Sequence, residues 1–237
     1  MKLKIYILAA VDTEPLLDPF IPIHGLSISI LLIDMGINIL YNVGPDIHIL
    51  LRNLRLGGLS LKIFNYIVIS RWLNPFSGAL NMVLRKIGLQ DTKIIVPPPR
   101  KNVNKKLIIV GDDGIKINKY IYISPPFGLP NKEIGLIVDL GDRGLLLFLG
   151  CSHIGIVESV EKILKFIGRR NIYGIIGGLH LSYYDELTFE ELEKKIPEWG
   201  LKFMIPLYCT GSRARIRLLD VIGSDISFTG VGTYVYI

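Results

Sequence analysis

Residues Tyr66 to Leu80 have the sequence YIVISRWLNPFSGAL, a strand pattern followed by a loop and a helix. The first five residues, Tyr66 to Ser70, form a continuous apolar run rich in β-branched side chains, which is typical of a strand buried on both faces. The loop that follows supplies one cation, one amide and two aromatic rings. Ser77 is then predicted to cap the helix. Chemistry in layered α/β folds gathers where such strands end, yet this loop contains no carboxylate, thiol or imidazole.

The rest of the chain forms two β-rich halves, each of which continues into strand-loop-helix units. Tight turns are predicted at Asp34 to Gly36 and at Gly141 to Gly144, each between the two strands of a hairpin. Ser152 is predicted to cap a helix, and Thr188 with Glu191 has the spacing of a capping box. This order of elements indicates an α/β (α+β) fold that is centred on sheets.

The length of 237 residues allows one large domain, and we predict a single domain over residues 1–237. Although 50% of the residues are hydrophobic, no uncharged apolar run reaches the roughly 18 residues of a membrane span. Asp12 and Glu14 interrupt the apolar N-terminal stretch, so no cleaved signal is expected. These features predict a cytoplasmic protein without a membrane span. The abundance of Ile and Lys and the single glutamine favour a thermophilic source.

The net charge of +6 suits anionic partners. Basic residues cluster at Arg100 to Lys106, at Arg169 and Arg170, and at Arg213, Arg215 and Arg217. None of these clusters interleaves with aromatic side chains as a surface for single-stranded nucleic acid does. Nucleic-acid binding is therefore kept as an alternative, and a solvated basic surface is the simpler interpretation.

Seven short motifs, taken in order, resemble the metallo-β-lactamase superfamily. They are HGLS (24–27), NVGP (42–45), VISRWLNPFSGAL (68–80), GCSHIGIVESVEKI (150–163), IIGGLHL (175–181), YCTG (208–211) and VGT (231–233). The combination of GCSH, GGLH and CTG is most similar to the subgroup of the dihydropterin-methyl-ribofuranosyl-aminobenzene-phosphate synthases. The resemblance implies a four-layer αββα sandwich of two mixed β-sheets, with a metal site where the loops of the sheets converge.

The first metal motif of that family is lost in this chain. The family places the ligands of a Ser-His-x-His-x-Asp-His motif after the strand that begins at Tyr66. At these four ligand positions the chain has Arg71, Leu73, Pro75 and Phe76. Arg71 would put a permanent cation where the first metal ion lies. The resemblance therefore predicts an eroded dinuclear site.

The later ligand positions are only partly kept. His153 and His180 stand where the family has histidine ligands, but Tyr208 replaces the last one. Asn42 replaces a carboxylate that would orient a ligand histidine. Two imidazoles are too few for a hydrolytic zinc, so we predict no metal cofactor. Zinc or another divalent metal, held at a rebuilt site, is the alternative.

A rebuilt site would need new ligands besides His153 and His180. Cys151 can face the same way as His153, two residues later, whereas Cys209 is expected to point elsewhere because it follows Tyr208 along a strand. Asp185 is a further candidate. Cys151 and Cys209 both lie at strand-to-helix junctions and could lie near each other, and whether they pair is left open.

Arg71 has two interpretations. It could hold a phosphate or carboxylate, assisted by the backbone N–H groups at the helix start near Ser77. It could instead fill the space and pair with a nearby carboxylate or with Tyr208. Trp72, Phe76 and Tyr208 either form a wall for a ligand or pack into the vacated volume.

Three functions follow from these residues. The first is a metallo-β-lactamase-fold protein, no longer a metallohydrolase, that binds an anionic small molecule or a protein partner. The second is an active metal-dependent hydrolase or synthase that acts on a phosphorylated or pterin-like substrate. The third is a nucleic-acid binder. The candidate residues of the cleft are Arg71, His153, His180, Tyr208, Asn42, His24, Trp72 and Ser77, and the weak metal candidates are His153, His180 and Cys151.

Overall fold

The computed structural model describes residues 3–88, 91–99, 107–169, 171–183, 186–222 and 229–237. The chain divides into two compact units, the first formed by Met1–Val110 with Gly230–Ile237 and the second by Gly111–Thr229. Each unit is built on one mixed β-sheet. The single domain over residues 1–237 stays a prediction.

Each unit begins with consecutive strands and continues into strands that are separated by helices. The strands are β1 (Ile5–Val11), β2 (Ser27–Leu32), β3 (Ile37–Tyr41), β4 (Tyr66–Val68), β5 (Lys93–Val96), β6 (Leu107–Ile109), β7 (Ile115–Lys116), β8 (Ile121–Ile123), β9 (Leu136–Asp139), β10 (Leu145–Leu149), β11 (Ile172–Gly178), β12 (Phe203–Leu207) and β13 (Tyr234–Tyr236). The helices are α1 (Ile47–Leu56), α2 (Asn74–Ser77), α3 (Leu80–Ile87), α4 (Ile156–Ile167), α5 (Glu186–Glu198) and α6 (Ser212–Ile222). None of these described helices is long and apolar enough to cross a membrane.

The sheet of the first unit has the strand order β13-β1-β2-β3-β4-β5-β6 among the described residues. Pairing is antiparallel from β13 to β3 and parallel from β3 to β6. The run Tyr66 to Ser70 forms β4 and the residues after it, and Ile67 to Ser70 have no exposed surface, so the predicted strand is confirmed. Because β3 and β4 are parallel, with Tyr41 opposite Val68, their carboxyl ends lie side by side.

The sheet of the second unit has the strand order β12-β11-β10-β9-β8-β7 within the described ranges. Strands β10, β11 and β12 are parallel, whereas β10 to β7 pair antiparallel. The predicted hairpin at Gly141 to Gly144 joins β9 to β10. The carboxyl ends of three neighbouring parallel strands therefore meet at one edge of this sheet, where layered folds usually keep their ligands.

Each sheet packs one face against amphipathic helices of its own unit. In the first unit, Leu80, Val83 and Ile87 of α3 enter the buried cluster at the predicted helical spacing. In the second unit, Val160 and Ile163 of α4 do the same. These helix faces explain why the apolar positions could be predicted from periodicity.

Three predicted helix starts are wrong. Ser77 is the last residue of α2, because Pro75 favours a helix start at Asn74, and Ala79 precedes α3. Ser152 lies before Gly155, the residue that precedes α4, and its Oγ donates a hydrogen bond to the carbonyl of Gly178 instead. Helix α5 already begins at Glu186, which puts Thr188 and Glu191 inside it.

Candidate functional sites at the strand ends

The candidate residues divide between the two units. Asn42, Arg71, Trp72, Ser77 and His24 belong to the first unit, and Cys151, His153, His180 and Tyr208 belong to the second. In both units, the central candidates follow the carboxyl ends of parallel strands. The two sets differ in the chemistry that they offer.

In the first unit, Asn42 and Ser70 are linked by a hydrogen bond at the ends of β3 and β4. The backbone N–H of Ser70 donates to Asn42 Oδ1 at 2.7 Å, and Ser27 Oγ donates to the carbonyl of Asn42 at 2.9 Å. Asn42 and Ser70 have no exposed surface. These contacts fix the amide plane of Asn42, which leaves Asn42 Nδ2 and Ser70 Oγ without a hydrogen-bond partner.

Arg71 follows Ser70 and is only 2% exposed. Its guanidinium forms no ion pair or side-chain hydrogen bond with any residue that the structure describes, and its buried Nε has no partner. Buried cations are normally paired, because an isolated charge loses its hydration. The strand ends of the first unit thus present three buried polar groups able to donate hydrogen bonds: those of Arg71, Asn42 and Ser70.

Trp72 and Phe76 are occupied by packing in this unit. The indole Nε1 of Trp72 donates to the carbonyl of Pro97 at 2.8 Å, and the ring packs against the buried cluster. Phe76 is completely buried. Both observations favour the interpretation that these rings fill volume.

Ser77 does not offer a free helix start for an anion. Its backbone N–H and its Oγ both donate to the carbonyl of Leu73 at 3.0 Å. The predicted assistance from N–H groups at Ser77 is therefore wrong. The reason is the early start of α2, which uses those N–H groups inside the helix.

His24 is exposed and precedes a glycine at a close backbone approach. A Cβ atom on Gly25 would lie 2.5 Å from Pro45 Cδ and 2.8 Å from the carbonyl oxygen of Pro75. The HGLS and NVGP motifs and the loop after β4 therefore meet in space. The close approach explains why residue 25 has no side chain, and it places the exposed His24 next to the point where these loops meet.

In the second unit, Cys151, His180 and Cys209 each lie two residues after the end of a parallel strand. Cys151 Sγ is 3.3 Å from His180 Nδ1 and 3.4 Å from Cys209 Sγ. The three possible ligand atoms all lie within 4.8 Å of one another. Two soft sulfur donors and one imidazole therefore converge at one point of the sheet edge.

The expected orientation of Cys209 is wrong. In a strand that continued through Tyr208, the side chain of Cys209 would point away, but β12 ends at Leu207 and Tyr208–Thr210 form a short 3₁₀ turn. This turn directs the sulfur of Cys209 to Cys151 rather than away from it. Both cysteines are free thiols, and their proximity agrees with their positions at strand-to-helix junctions. Asp185, the other proposed ligand, lies outside the described residues.

Glu133 holds the loop that carries Cys151, a role that the sequence did not suggest. This carboxylate is 2% exposed, and its Oε1 accepts the backbone N–H groups of Gly150 at 3.1 Å, Cys151 at 2.7 Å and Ser152 at 3.1 Å. Hydrogen bonds to a charged acceptor are stronger than neutral ones. No local pattern identifies Glu133, because it is 18 residues from Cys151 in the chain.

The glycine pair of the GGLH motif allows the strands to approach closely beside the thiols. A Cβ atom on Gly177 would lie 1.9 Å from the carbonyl oxygen of Leu149. On Gly178, it would lie 2.3 Å from the carbonyl oxygen of Gly150 and 3.0 Å from Cys209 Sγ. These glycines therefore bring β10 and β11 together where the three donors meet.

Backbone conformation marks the same positions in both units. Among the described residues, the non-glycine residues with positive φ are Asn42 (64°), Ser152 (53°), His180 (55°) and Tyr208 (49°). Such conformations are uncommon for side chains with a Cβ atom and cluster at functional sites. Asn42 and Tyr208 directly follow β3 and β12. His180 lies two residues after the end of β11, and Ser152 lies three residues after the end of β10.

Burial raises the pKa of the Cys209 thiol well above its usual value, and the hydrogen bond with Cys151 raises that pKa further. Cys209 is therefore a neutral thiol in the absence of a cation.

His153 lies beside the three converging donors, with its ring centroid 4.8 Å from that of His180 in an edge-to-face arrangement. His153 is not one of the three converging donors.

The basic clusters give little support to a nucleic-acid surface. Arg100 to Lys106 and Arg170 lie outside the described residues. On α6, Arg215 is buried and donates to Thr229. Arg217 pairs with Glu186 at 2.5 Å and with Glu193 at 3.4 Å. Nucleic-acid binding stays a prediction.

Comparison with solved structures identifies the class of fold. The metal-dependent hydrolase Tm1679 of the β-lactamase superfamily is 19% identical with a TM-score of 0.77, covering 98% of this chain and 99% of that one. The metallo-β-lactamase fold protein YhfI from Bacillus subtilis is 10% identical with a TM-score of 0.67, covering 99% of this chain and 100% of that one. The short form of human tRNase Z is 11% identical with a TM-score of 0.62, covering 97% and 98%. The chain therefore has the metallo-β-lactamase fold, and the predicted fold class with two mixed sheets is confirmed.

Sequence comparison points to a particular relative. The chain is 32% identical over 103 residues to 7,8-dihydropterin-6-methyl-4-(β-D-ribofuranosyl)-aminobenzene-5′-phosphate synthase of Methanocaldococcus jannaschii, which agrees with the subgroup that the motifs resemble. The match covers 44% of this chain and only 35% of the relative, so the chain matches about a third of that protein's length. No family model matches the chain.

Proposed function

We propose that this protein binds an anionic small molecule, a carboxylate or a phosphate, at Arg71, in the loop where metallo-β-lactamase-fold enzymes hold their metal. The observation that carries this proposal is the buried guanidinium of Arg71, which has no ion-pair partner among the described residues. Arg71 Nε would donate a hydrogen bond to the anion, and Asn42 Nδ2 and Ser70 Oγ are further buried donors at the same strand ends. Each such bond to a charged group contributes about 1.5–3 kcal/mol.

The energies favour an anion over an arginine that only fills space. Burying an unpaired ion costs several kcal/mol in folded proteins. An arginine kept for packing should then point its charge at a carboxylate or at water, and the buried Nε of Arg71 meets neither a carboxylate nor another acceptor in the described chain. A bound anion would pair with the buried guanidinium of Arg71 and offset this cost.

The dinuclear metal centre implied by the fold does not fit this loop. Arg71 cannot lose its proton and serve as a ligand. Leu73, Pro75 and Phe76 offer no side-chain nitrogen, sulfur or oxygen donor, and Phe76 fills its position completely. No catalytic step is therefore assigned to a metal pair at this loop.

Calorimetric titration of the full chain with inorganic phosphate and with acetate tests the proposal. Saturable binding of at least one anion is expected, and Arg71→Gln should weaken it by about tenfold or more because one charged hydrogen-bond donor is lost. Arg85→Gln, which removes an exposed arginine of α3 in the same unit, is the matched control and should bind as the native protein does. Equal affinity in the native and Arg71→Gln proteins, or no saturable binding of either anion, would contradict the proposal.

A metal-dependent hydrolase or synthase that acts on a phosphorylated or pterin-like substrate is the second candidate. It is supported by the convergence of Cys151, His180 and Cys209 and by the name of the curated relative. Replacing His153 and His180 with Ala should then abolish turnover of such a substrate. Unchanged turnover in that double variant would exclude this function.

A further inference from the structure

The edge of the second sheet brings together donors that match the preferences of a soft divalent metal. Zinc binds thiolate sulfur at about 2.3 Å and imidazole nitrogen at about 2.0–2.1 Å in a tetrahedron. These bond lengths put two ligand sulfurs about 3.8 Å apart and a sulfur and a nitrogen about 3.6 Å apart. The observed separations from Cys151 Sγ are 3.4 Å to Cys209 Sγ and 3.3 Å to His180 Nδ1. Both separations from Cys151 Sγ are therefore within about 0.4 Å of the tetrahedral values, and Cys209 and His180 place their ligand atoms within 4.8 Å of each other.

We propose that Cys151, Cys209 and His180 form a mononuclear zinc site with two thiolate ligands and one imidazole ligand. Its residues belong to the second unit, whereas those of the anion site proposed at Arg71 belong to the first. It also differs from a dinuclear centre built on histidines and aspartate. Thiolate ligands select zinc, copper(I) and iron–sulfur clusters over magnesium and calcium.

Hydrogen bonds to the backbone of Cys151 and Cys209 fix the positions of these two ligands. Cys151 is held by Glu133, whose carboxylate accepts three consecutive N–H groups of its loop. Cys209 is held by Ser182, which donates to the Cys209 carbonyl from its hydroxyl at 2.7 Å and from its backbone N–H at 3.2 Å. Such outer contacts orient ligands and contribute to metal affinity. The site therefore needs little rearrangement to accept an ion.

A disulfide fits this geometry less well than a metal does. A disulfide joins its sulfurs at about 2.05 Å, so the thiols of Cys151 and Cys209 would have to approach by more than 1 Å from their separation of 3.4 Å. It would also use only two of the three donors that meet at this point. The metal uses all three donors after small movements.

Cys151, His180 and Cys209 are the three donors of this group among the described residues, which leaves the fourth position of a tetrahedron to water or another ligand. His180 is exposed and Cys209 is half-buried, whereas Cys151 is buried. Zinc sites with three protein ligands and an open position bind water or a substrate, whereas sites with four protein ligands are structural. The proposed site therefore belongs to the open class, with His153 beside it rather than in it.

The experiment starts from the reduced full chain, which is freed of metal and titrated with zinc and then with cobalt(II). One equivalent of zinc should remain after dialysis, as measured by elemental analysis. Cobalt(II) should give sulfur-to-cobalt charge-transfer absorption of the strength expected for two thiolates. Cys209→Ser should lower the zinc affinity by more than about tenfold, since even outer contacts are worth that much, and should weaken the sulfur band.

Two further variants keep the test decisive. His180→Gln should lower the zinc affinity while both thiolate contributions to the cobalt spectrum remain. His48→Gln removes an exposed histidine of α1 in the first unit and should leave zinc binding unchanged. The proposal is overturned if the reduced protein retains no stoichiometric zinc, if cobalt gives no sulfur band, or if a folded Cys209→Ser variant binds zinc as the native protein does. A freshly isolated protein that has no free thiols would favour the disulfide instead.

Discussion

The strand-end loops of the two units occupy equivalent places in their sheets but offer opposite chemistry. After β3 and β4, the first unit presents buried hydrogen-bond donors from Asn42, Ser70 and Arg71. After β10, β11 and β12, the second unit presents electron-pair donors from Cys151, His180 and Cys209. The first arrangement suits an anion and the second a cation. The sheet edge therefore provides position, whereas the side chains decide the sign of the charge that can bind.

Removal of Glu133 should affect the second unit most strongly. Glu133→Ala leaves three buried N–H groups of the Cys151 loop without an acceptor, and each unsatisfied group costs about 1–3 kcal/mol. We expect the free energy of unfolding to fall by about 3 kcal/mol or more, and zinc affinity to fall with it. Denaturant unfolding and zinc titration measure the two effects.

Glu133→Gln is the matched control, since its amide oxygen can still accept those bonds. It should lose much less stability than Glu133→Ala. A similar loss in both variants would mean that the charge, rather than the hydrogen bonds, holds the loop.

Replacement of Arg71 by an apolar residue should affect the first unit in the opposite direction. Arg71→Met removes a buried charge that has no partner in the described chain, and replacing buried ions by apolar groups is often stabilising by about 1–4 kcal/mol. Without added anion, we expect the variant to be more stable than the native protein. Phosphate should raise the melting temperature of the native protein only.

Thermal melts of both proteins with and without phosphate check this expectation. A variant that is less stable than the native protein in the absence of anion would show that Arg71 is satisfied without a ligand. Zinc binding at the second unit serves as the internal control for correct folding.

An added methyl group at Gly178 should disturb the thiol pair by a smaller amount. The Cβ atom of Gly178→Ala would lie 2.3 Å from the carbonyl oxygen of Gly150 and 3.0 Å from Cys209 Sγ. We expect a loss of about 1–3 kcal/mol in stability, as for other overpacked positions, together with weaker zinc binding. Gly111→Ala is the control, because a Cβ atom there meets no atom within 4 Å. Equal zinc affinity in both variants would separate the glycine from the metal site.

The local sequence pattern predicts many of the helices and strands, whereas the arrangement of the candidate site depends on contacts between residues that are distant in the chain. The strand from Tyr66 to Ser70 and the turn at Gly141 to Gly144 could be predicted because their signals are local. A buried strand shows as a continuous apolar run, and a turn shows as adjacent turn-forming residues between two strands. Ser152 is predicted to cap a helix, but its hydroxyl donates a hydrogen bond to the carbonyl of Gly178, which is 26 residues away in the chain. Residues that favour caps also satisfy distant backbone groups, and sequence alone does not distinguish the two uses.

The candidate site was predicted in part. The missing ligands and the cation at Arg71 could be read from the motif alignment with the family. The role of Cys209 was missed because Tyr208 and Cys209 are expected to alternate as in a strand, whereas they form a 3₁₀ turn after β12. The role of Glu133 was missed because it depends on a contact across 18 residues of chain.

The spacing of the three donors has a consequence for chain entropy. Cys151 and His180 are 29 residues apart and Cys151 and Cys209 are 58 residues apart, so His180 is at the midpoint of the segment that they enclose. An ion bound by all three residues would close two consecutive loops of equal length, from Cys151 to His180 and from His180 to Cys209. Binding at all three residues would limit the freedom of the unfolded chain across β11 and β12, and the entropic cost of closing a loop grows only slowly with its length. Metal binding and the folding of the second sheet would then be coupled.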